Sequence, residues 1–183
     1  LARLGTSDPV EPVTDTAPLI AGIDFARFGR APARFDEGEL QALNAKIVHR
    51  LPYAAVRDRL PAAVSEPVWT IVRANAMTVG DAADGARVFA ADFQPIAAEP
   101  EDADFVRQAA ALVPTLNWAD GPWQQLTEAM KAQTGRKGRA LFLPLRRAIT
   151  AADHGPDMAD ILPLIGPEET ARRLNGAAAS TFR

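Results

Sequence analysis

No cysteine occurs anywhere in this 183-residue chain, and histidine occurs only twice, at His49 and His154, far apart. Disulfides and thiolate metal sites are therefore excluded, and a zinc centre or a Ser-His-Asp triad lacks the residues it needs. Cysteine-free composition is also compatible with a cytoplasmic protein. Long apolar runs are missing too: none reaches the roughly eighteen residues that a membrane-spanning helix requires. Alternating, strand-like runs of useful length are lacking, and no Asn-Gly or Asp-Gly turn separates two apolar runs. No repeat of fixed period is evident. Carboxylates are plentiful, but none pairs with another in an apolar setting of the kind that acid–base catalysis uses. The chain opens Leu1-Ala2-Arg3-Leu4-Gly5, with neither an initiator Met nor a charged-then-apolar leader, which is the expectation for a cut inside a longer protein.

Hydrophobic residues make up 48% of the chain, enough for a proper core. Their spacing is helical. Through the first 35 residues Pro9, Pro12, Pro18 and Pro32 interrupt any long element. Short helical pieces are expected around Ala17–Gly22 and Phe25–Phe28, with Arg27, Arg30 and Arg34 recurring beside Asp24 and Asp36. Asp36 and Glu39 have capping-box spacing, Leu40, Leu43 and Ile47 follow at helical intervals, and Pro52 ends the run. A short helix is predicted from Tyr53 to Leu60, then one capped by Ser65 with a stripe of Val68, Ile71, Val72 and Val79. A further piece is expected near Asp81–Phe89. Pro100 offers a start with Glu101 and Asp102 in its first turn, and Phe105, Ala109 and Leu112 mark a buried side. Asp120 and Pro122 open another helix carrying Trp123, Leu126 and Met130, with Gly135 as its stop. Gly138–Ala151 reads as helix with Phe142, Leu145 and Ile149 on one face and Pro144 inside it, forcing a late start or a kink. Two short helices follow Pro156 and Pro167. The fold class is all-α.

Net charge is -3, but it is unevenly placed. From Lys131 to Ala152 there are six basic residues (Lys131, Arg136, Lys137, Arg139, Arg146, Arg147) and no acidic one, leaving 14 basic against 23 acidic elsewhere. A basic segment on an acidic body suits local contact with phosphate, although a solvated helix face has the same composition. In Gly135-Arg136-Lys137-Gly138-Arg139, three cations sit on a loop that lacks Walker spacing, so it is no nucleotide P-loop; phosphate contact and a plain solvated turn both remain open. Arg139 and Arg146, seven apart, share a helix face and are expected roughly opposite Phe142 and Ile149. Arg147 can pair with Asp153. His154-Gly155-Pro156 has the form of a tight loop before a helix, either a plain turn or a place where unstacked bases meet exposed backbone groups. Trp69 and Trp123 lie on or beside apolar stripes and are expected in the core rather than as base-stacking platforms.

Taken together, several strings resemble one family. Arg30-Ala-Pro-Ala-Arg-Phe-Asp36, Leu43-Asn-Ala-Lys46 and His49-Arg-Leu-Pro52 are similar to the region after the second ATP-site signature of bacterial glutamyl-tRNA synthetases. Thr134-Gly-Arg-Lys-Gly-Arg-Ala-Leu-Phe-Leu-Pro-Leu-Arg146, His154-Gly-Pro156 and Leu162-Pro-Leu-Ile-Gly166 resemble their anticodon-binding C-terminus. The resemblance implies the end of a stem-contact region over residues 1–55, then a helical anticodon-binding cage over 56–183, in subdomains of about 56–98 and 99–183. It implies a class I ligase whose catalytic domain, with HIGH-type and KMSKS-type signatures, lies outside this chain. ATP and Mg belong to that parent enzyme, and no cofactor or metal is expected here. The implied partner is tRNA-Glu, with tRNA-Gln an open question; DNA and membrane are not expected, and a monomer is. Anticodon contacts are implied at Arg73, Asn75, Arg146, Gly155, Pro156 and Met158, and phosphate contacts are expected at Arg136, Lys137 and Arg139. Some relatives have arginine where Asn75 stands, which bears on the third anticodon base and leaves tRNA-Glu versus tRNA-Gln discrimination open. Two other readings remain: a helical protein-interaction module docking on an acidic partner, and a free-standing paralogue of the tRNA-binding domain.

Overall fold

The computed structural model describes residues 3, 5–30, 32 and 36–179. Among them there is no strand; the elements are α- and 3-10 helices, as the spacing of apolar residues requires. The chain divides into two compact units, Leu1–Asp84 and Gly85–Arg183. No helix among the described residues is long and apolar enough to cross a membrane.

In the first unit, short pieces α1 (Ala17–Ala21) and a 3-10 turn (Phe25–Arg27) precede α2 (Glu37–Val48). Arg34, expected beside Asp36, lies outside the described residues. Asp36 caps α2 by accepting from the backbone N–H groups of Gly38 and Glu39. The predicted stripe of α2 is not a buried one: Leu40 is 49% exposed, Leu43 and Ile47 are half-buried, and only Val48 is fully covered. Periodicity marks a face, but burial needs a neighbouring element. The core of this unit lies instead around α4 (Glu66–Val72), where Trp69 is wholly buried with Val68 and Val72, joined by Val48, Val56, Val64 and Ala76. Ser65 occupies the N-cap position of α4, but its side chain makes no capping bond. The turn after α2 is strapped down from several sides. Trp69 Nε1 and Arg73 Nη1 both donate to the Leu51 carbonyl (3.0 and 2.7 Å), His49 Nε2 donates to Ala76 O, and Tyr53 Oη donates to Val64 O.

The second unit packs α6 (Ala103–Leu112), α7 (Pro122–Thr134), α8 (Arg139–Thr150), α9 (Met158–Ile165) and α10 (Pro167–Ala179) around a core of Phe105, Val106, Leu126, Met130, Leu145, Ile149, Ile161, Leu162 and Leu174. The remaining α-helices, α3 (Tyr53–Val56) and α5 (Val79–Gly85), belong to the first unit apart from the last residue of α5. Three boundaries differ from expectation. α6 begins at Ala103 rather than Pro100, because residues 100–102 form a turn in which Asp102 N donates to Glu99 O at 2.8 Å. Gly121, not Asp120, precedes the first residue of α7. α10 runs for 13 residues, longer than the short helix expected.

α10 is the pillar of this unit. Thr170, Arg173, Leu174 and Ala177 recur at i, i+3, i+4 and i+7 and are all buried, so an arginine occupies a core position. Arg173 is 2% exposed and every arm of its guanidinium is engaged. Nη1 donates to Ile149 O (2.8 Å), Nη2 to Val88 O (2.8 Å) and Nε to Glu169 (2.7 Å), while the plane lies over the Phe93 ring at 3.8 Å. The Ile149 carbonyl belongs to the last turn of α8, where intrahelical partners run out, so Arg173 caps that helix from outside. The irregular segment after Val88 is tied to the same helix by Arg172 Nη2→Phe93 O and Ala98 N→Ala177 O (2.9 Å each). It runs so close that a Cβ on Gly176 would lie 2.8 Å from Pro95 Cγ, which explains a glycine inside a helix.

Removing the Arg173 side chain would leave the Ile149 and Val88 carbonyls without this donor, while Glu169 would keep only its bonds from Arg172. Arg173→Ala is expected to lower the unfolding free energy of the second unit by on the order of 3–5 kcal/mol, read as a drop in urea midpoint. Glu169 is held near pKa 2 by hydrogen bonds from Arg172 and then Arg173, against an opposing effect of burial. Because this folded pKa lies below the ordinary 4.5, the stabilisation is present above that pH and is lost as pH falls toward 2. Glu169→Gln is expected to flatten the acid limb of stability in that window while lowering stability at neutral pH.

Candidate nucleic-acid interface

The basic segment begins where α7 stops at Gly135 and α8 starts at Arg139. Pro144 sits in the sixth position of α8, so it cannot donate to the Ala140 carbonyl one turn back, yet the helix runs through it. Arg136 Nη1 turns toward that freed carbonyl at 3.4 Å. The same side chain forms an ion pair with Asp102, donates to Glu101 O (3.1 Å) and lies 4.2 Å over the Phe105 ring. Arg136, expected to face phosphate, is thus already engaged in joining the α7–α8 loop to the start of α6. Lys137 and Arg139 are exposed and make no hydrogen bond or ion pair among the described residues.

At the far end of α8 a corner is built by two consecutive arginines. Arg147 forks onto Asp153 (Nε to Oδ1 2.5 Å, Nη2 to Oδ2 2.8 Å), which raises the guanidinium's pKa and lowers the carboxyl's, chiefly through that bond. Arg146 Nη2 donates 2.9 Å to Pro156 O. Its Nη1 is buried with no partner, and burial lowers the Arg146 pKa, partly offset by the Asp157 charge. Ala151 closes α8 in the left-handed conformation (φ 55°), and Thr150 Oγ1 donates to Arg146 O at 2.8 Å. Gly155 takes φ 142°, a region that side chains rarely adopt. Asp157 then caps α9, accepting from Ala159 N at 2.9 Å. Both arms of this corner hang from one turn of α8.

The expected anticodon-facing residues therefore fall into two places, one in each unit. In the first, Arg73 is half-buried with Nη1 on the Leu51 carbonyl, and Asn75 is exposed with no hydrogen bond among the described residues. In the second, Arg146, Gly155 and Pro156 are in direct contact. Met158 is placed beside them, but its side chain is core, 2% exposed, so only its backbone can meet a ligand. The helical-face expectation for α8 also needs correction. Three residues turn about 300°, so Phe142 stands only about 60° from the Arg139–Arg146 line and not opposite it. Ile149 lies only about 20° from Phe142 around the helix, yet Phe142 is exposed and Ile149 buried, so neighbouring elements and not helix phase decide the difference. The residues that sequence reasoning missed are Asp102, Glu169 and Arg173; for Arg173 the signal was present, since it occupies a stripe position of α10.

These features define an all-α domain whose loops and helix ends are held by charged and hydrogen-bonding side chains, with no metal-binding cluster among the described residues. The particular family follows from comparison: the family model described as an anticodon binding domain matches residues 44–178, and the chain belongs to that family. Among curated proteins it is 59% identical over 180 residues to glutamate–tRNA ligase 2 of Sphingopyxis alaskensis, covering 98% of this chain and 41% of that one. It is 53% identical over 179 residues to glutamate–tRNA ligase 1 of Rhizorhabdus wittichii, covering 98% and 40%. The chain thus spans about two fifths of the length of these relatives. Among solved structures, a glutamate tRNA ligase from Elizabethkingia meningosepticum in complex with its amino acid superposes with a TM-score of 0.76 at 21% identity, over 96% of this chain and 38% of that one. A glutamate-tRNA synthetase from Elizabethkingia anophelis gives 0.70 at 18%, over 97% and 39%. Both share the fold.

Gly155→Ala tests the corner directly. A Cβ there would meet Arg146 Nη1 at an ordinary 3.6 Å, so the cost is in the backbone and not in a clash. The expected loss of stability is about 1–3 kcal/mol, measured by thermal unfolding, with faster amide exchange over residues 153–157.

Proposed function

We propose that this chain is the tRNA-reading part of a glutamate–tRNA ligase, binding and orienting tRNA-Glu while the remainder of the parent enzyme activates glutamate with ATP and Mg and transfers it. Membership of the anticodon-binding family supports this reading, as do the names of relatives matched over nearly all of this chain. The observation that carries it is the clamped corner at residues 153–157. A loop that reads unstacked bases through its backbone must be rigid beforehand, since ordering it on binding would cost affinity. Arg146 and Arg147 supply that rigidity from two sides.

Within this reading, Gly155 and Pro156 present backbone groups to a base, and Met158 contributes its N–H, one of the unpaired donors in the first turn of α9. Arg146 Nη1 is buried without a partner, so it can reach a base edge only if the corner opens as the RNA binds. Lys137 and Arg139 meet phosphates, and Arg136 holds their loop in place. Asn75, with Arg73 behind it, forms the second reading point, and it is there that tRNA-Glu and tRNA-Gln would be told apart. The parent enzyme would work in the cytoplasm, where tRNA is charged.

Filter binding of a tRNA-Glu transcript and of an anticodon-changed transcript is the test. Lys137→Gln and Arg139→Gln should each flatten the salt dependence by about one unit on both RNAs. Arg146→Ala should cost on the order of 1–3 kcal/mol on tRNA-Glu and narrow the gap between the two RNAs. An equal loss on both would refute base reading at the corner. Absence of any RNA preference in the unaltered chain, together with retention of an acidic protein partner, would favour an interaction module instead.

A further inference from the structure

Phe142 is an exception within α8. Leu141, Leu145, Ala148 and Ile149 form its buried face, and Phe142, at the edge of that face about 20° from Ile149, is 45% exposed. It is not loose. Trp123, from the first turn of α7, braces it with ring centroids 6.2 Å apart and a tilt of 42°. Arg139 lies three residues before it, hence adjacent on the helix surface, and is exposed. Lys137 is exposed in the loop just ahead. From Lys131 to Ala152 the chain has no carboxylate.

A single exposed aromatic is ordinary on a protein surface. A braced ring with Arg139 next to it on the helix and no acid from Lys131 to Ala152 is a more particular arrangement, even with Asp153 just beyond acting on Arg139. Its chemical complement carries negative charge at intervals and a flat apolar group between them. Single-stranded nucleic acid has that form, because its bases are free to leave one another and stack on a protein ring. A duplex keeps its bases stacked internally and offers only phosphate. Bracing by Trp123 means that the ring need not be ordered on contact, which removes part of the entropic cost of binding.

We propose that Phe142 is a stacking platform for one unstacked base of a single-stranded RNA loop, with Arg139 and Lys137 holding the phosphates on its 5′ or 3′ side. The inference rests on the RNA-binding reading above and adds to it a residue and a mode of contact. Stacking is indifferent to base identity, so the platform contributes affinity and register, leaving discrimination to the corner at residues 153–157.

The test uses the 183-residue chain and two RNA probes: a stem–loop carrying the anticodon loop of tRNA-Glu, and the same stem closed into an uninterrupted duplex. Phe142→Leu keeps apolar bulk and removes the ring; Phe142→Tyr keeps the ring. Phe142→Leu is expected to weaken stem–loop binding by on the order of tenfold, leaving duplex binding and the salt slope unchanged, while Phe142→Tyr binds as the unaltered chain does. A 2-aminopurine scan through the loop should find one position whose emission is quenched on binding by the unaltered chain and by F142Y, but not by F142L. Unchanged stem–loop affinity and unchanged quenching in F142L, with Arg139→Gln still weakening binding, would overturn the platform while leaving the RNA-binding reading intact; the aromatic pair would then serve a protein contact. If the unaltered chain binds neither probe, the RNA-binding reading itself fails and the platform with it.

Discussion

A buried guanidinium sets the geometry of the second unit. Arg173 has lost nearly all contact with water, and a charged group so placed is tolerable only if its donors find acceptors. They find them on three different stretches of chain: the end of α8 at Ile149, the segment after Val88, and Glu169 on its own helix. Desolvation lowers the Arg173 pKa and the Glu169 charge works against that, yet an arginine remains protonated throughout the accessible range. The positive charge is therefore permanent, and so is the requirement for those three partners. Because one of them is the last turn of α8, the place where that helix stops, and hence where the corner at 151–157 begins, follows from the same constraint.

Counting basic residues overstates how much positive charge reaches the surface. Of the six cations between Lys131 and Ala152, Arg136 is paired with Asp102 and Arg147 with Asp153, while Arg146 is turned under the Pro156 carbonyl. The exposed charges are those of Lys131, Lys137 and Arg139. The field that this segment offers to a polyanion is correspondingly narrow. The inward-turned arginines still matter to that surface, because each one holds a loop or helix end that the outward-facing groups stand on. Arg136 shows this most plainly: one side chain satisfies a carboxylate, a carbonyl freed by proline and an aromatic face at once.

The first unit is organised on a smaller scale by the same kind of bond. One carbonyl, that of Leu51, accepts from both Trp69 and Arg73, so the turn after α2 is fixed to the helix that carries the unit's core. Arg73 is thereby oriented from within, and Asn75, two residues later on the 3-10 turn that ends this helix, is left exposed.

By itself the sequence determined the all-α class, because apolar residues at intervals of three and four can be buried together only on helices, and prolines and glycines delimit each element. Element boundaries were legible wherever a local interaction sets them, as with Asp36 capping α2 or Gly135 ending α7, and the loop at His154–Pro156 could be recognised as a corner. What Arg136, Arg146 and Arg173 bind was decided by tertiary structure. Arg136, Lys137, Arg146 and Arg173 are alike in composition and similar in local sequence, yet one is a latch, one meets solvent, one supports a corner and one is core. The distinction depends on acceptors supplied from 10 to 85 residues away, at Pro156, Ile149, Asp102 and Val88. Helical periodicity carries no information about such partners, because hydrogen bonding is directional and is settled only when the helices have packed.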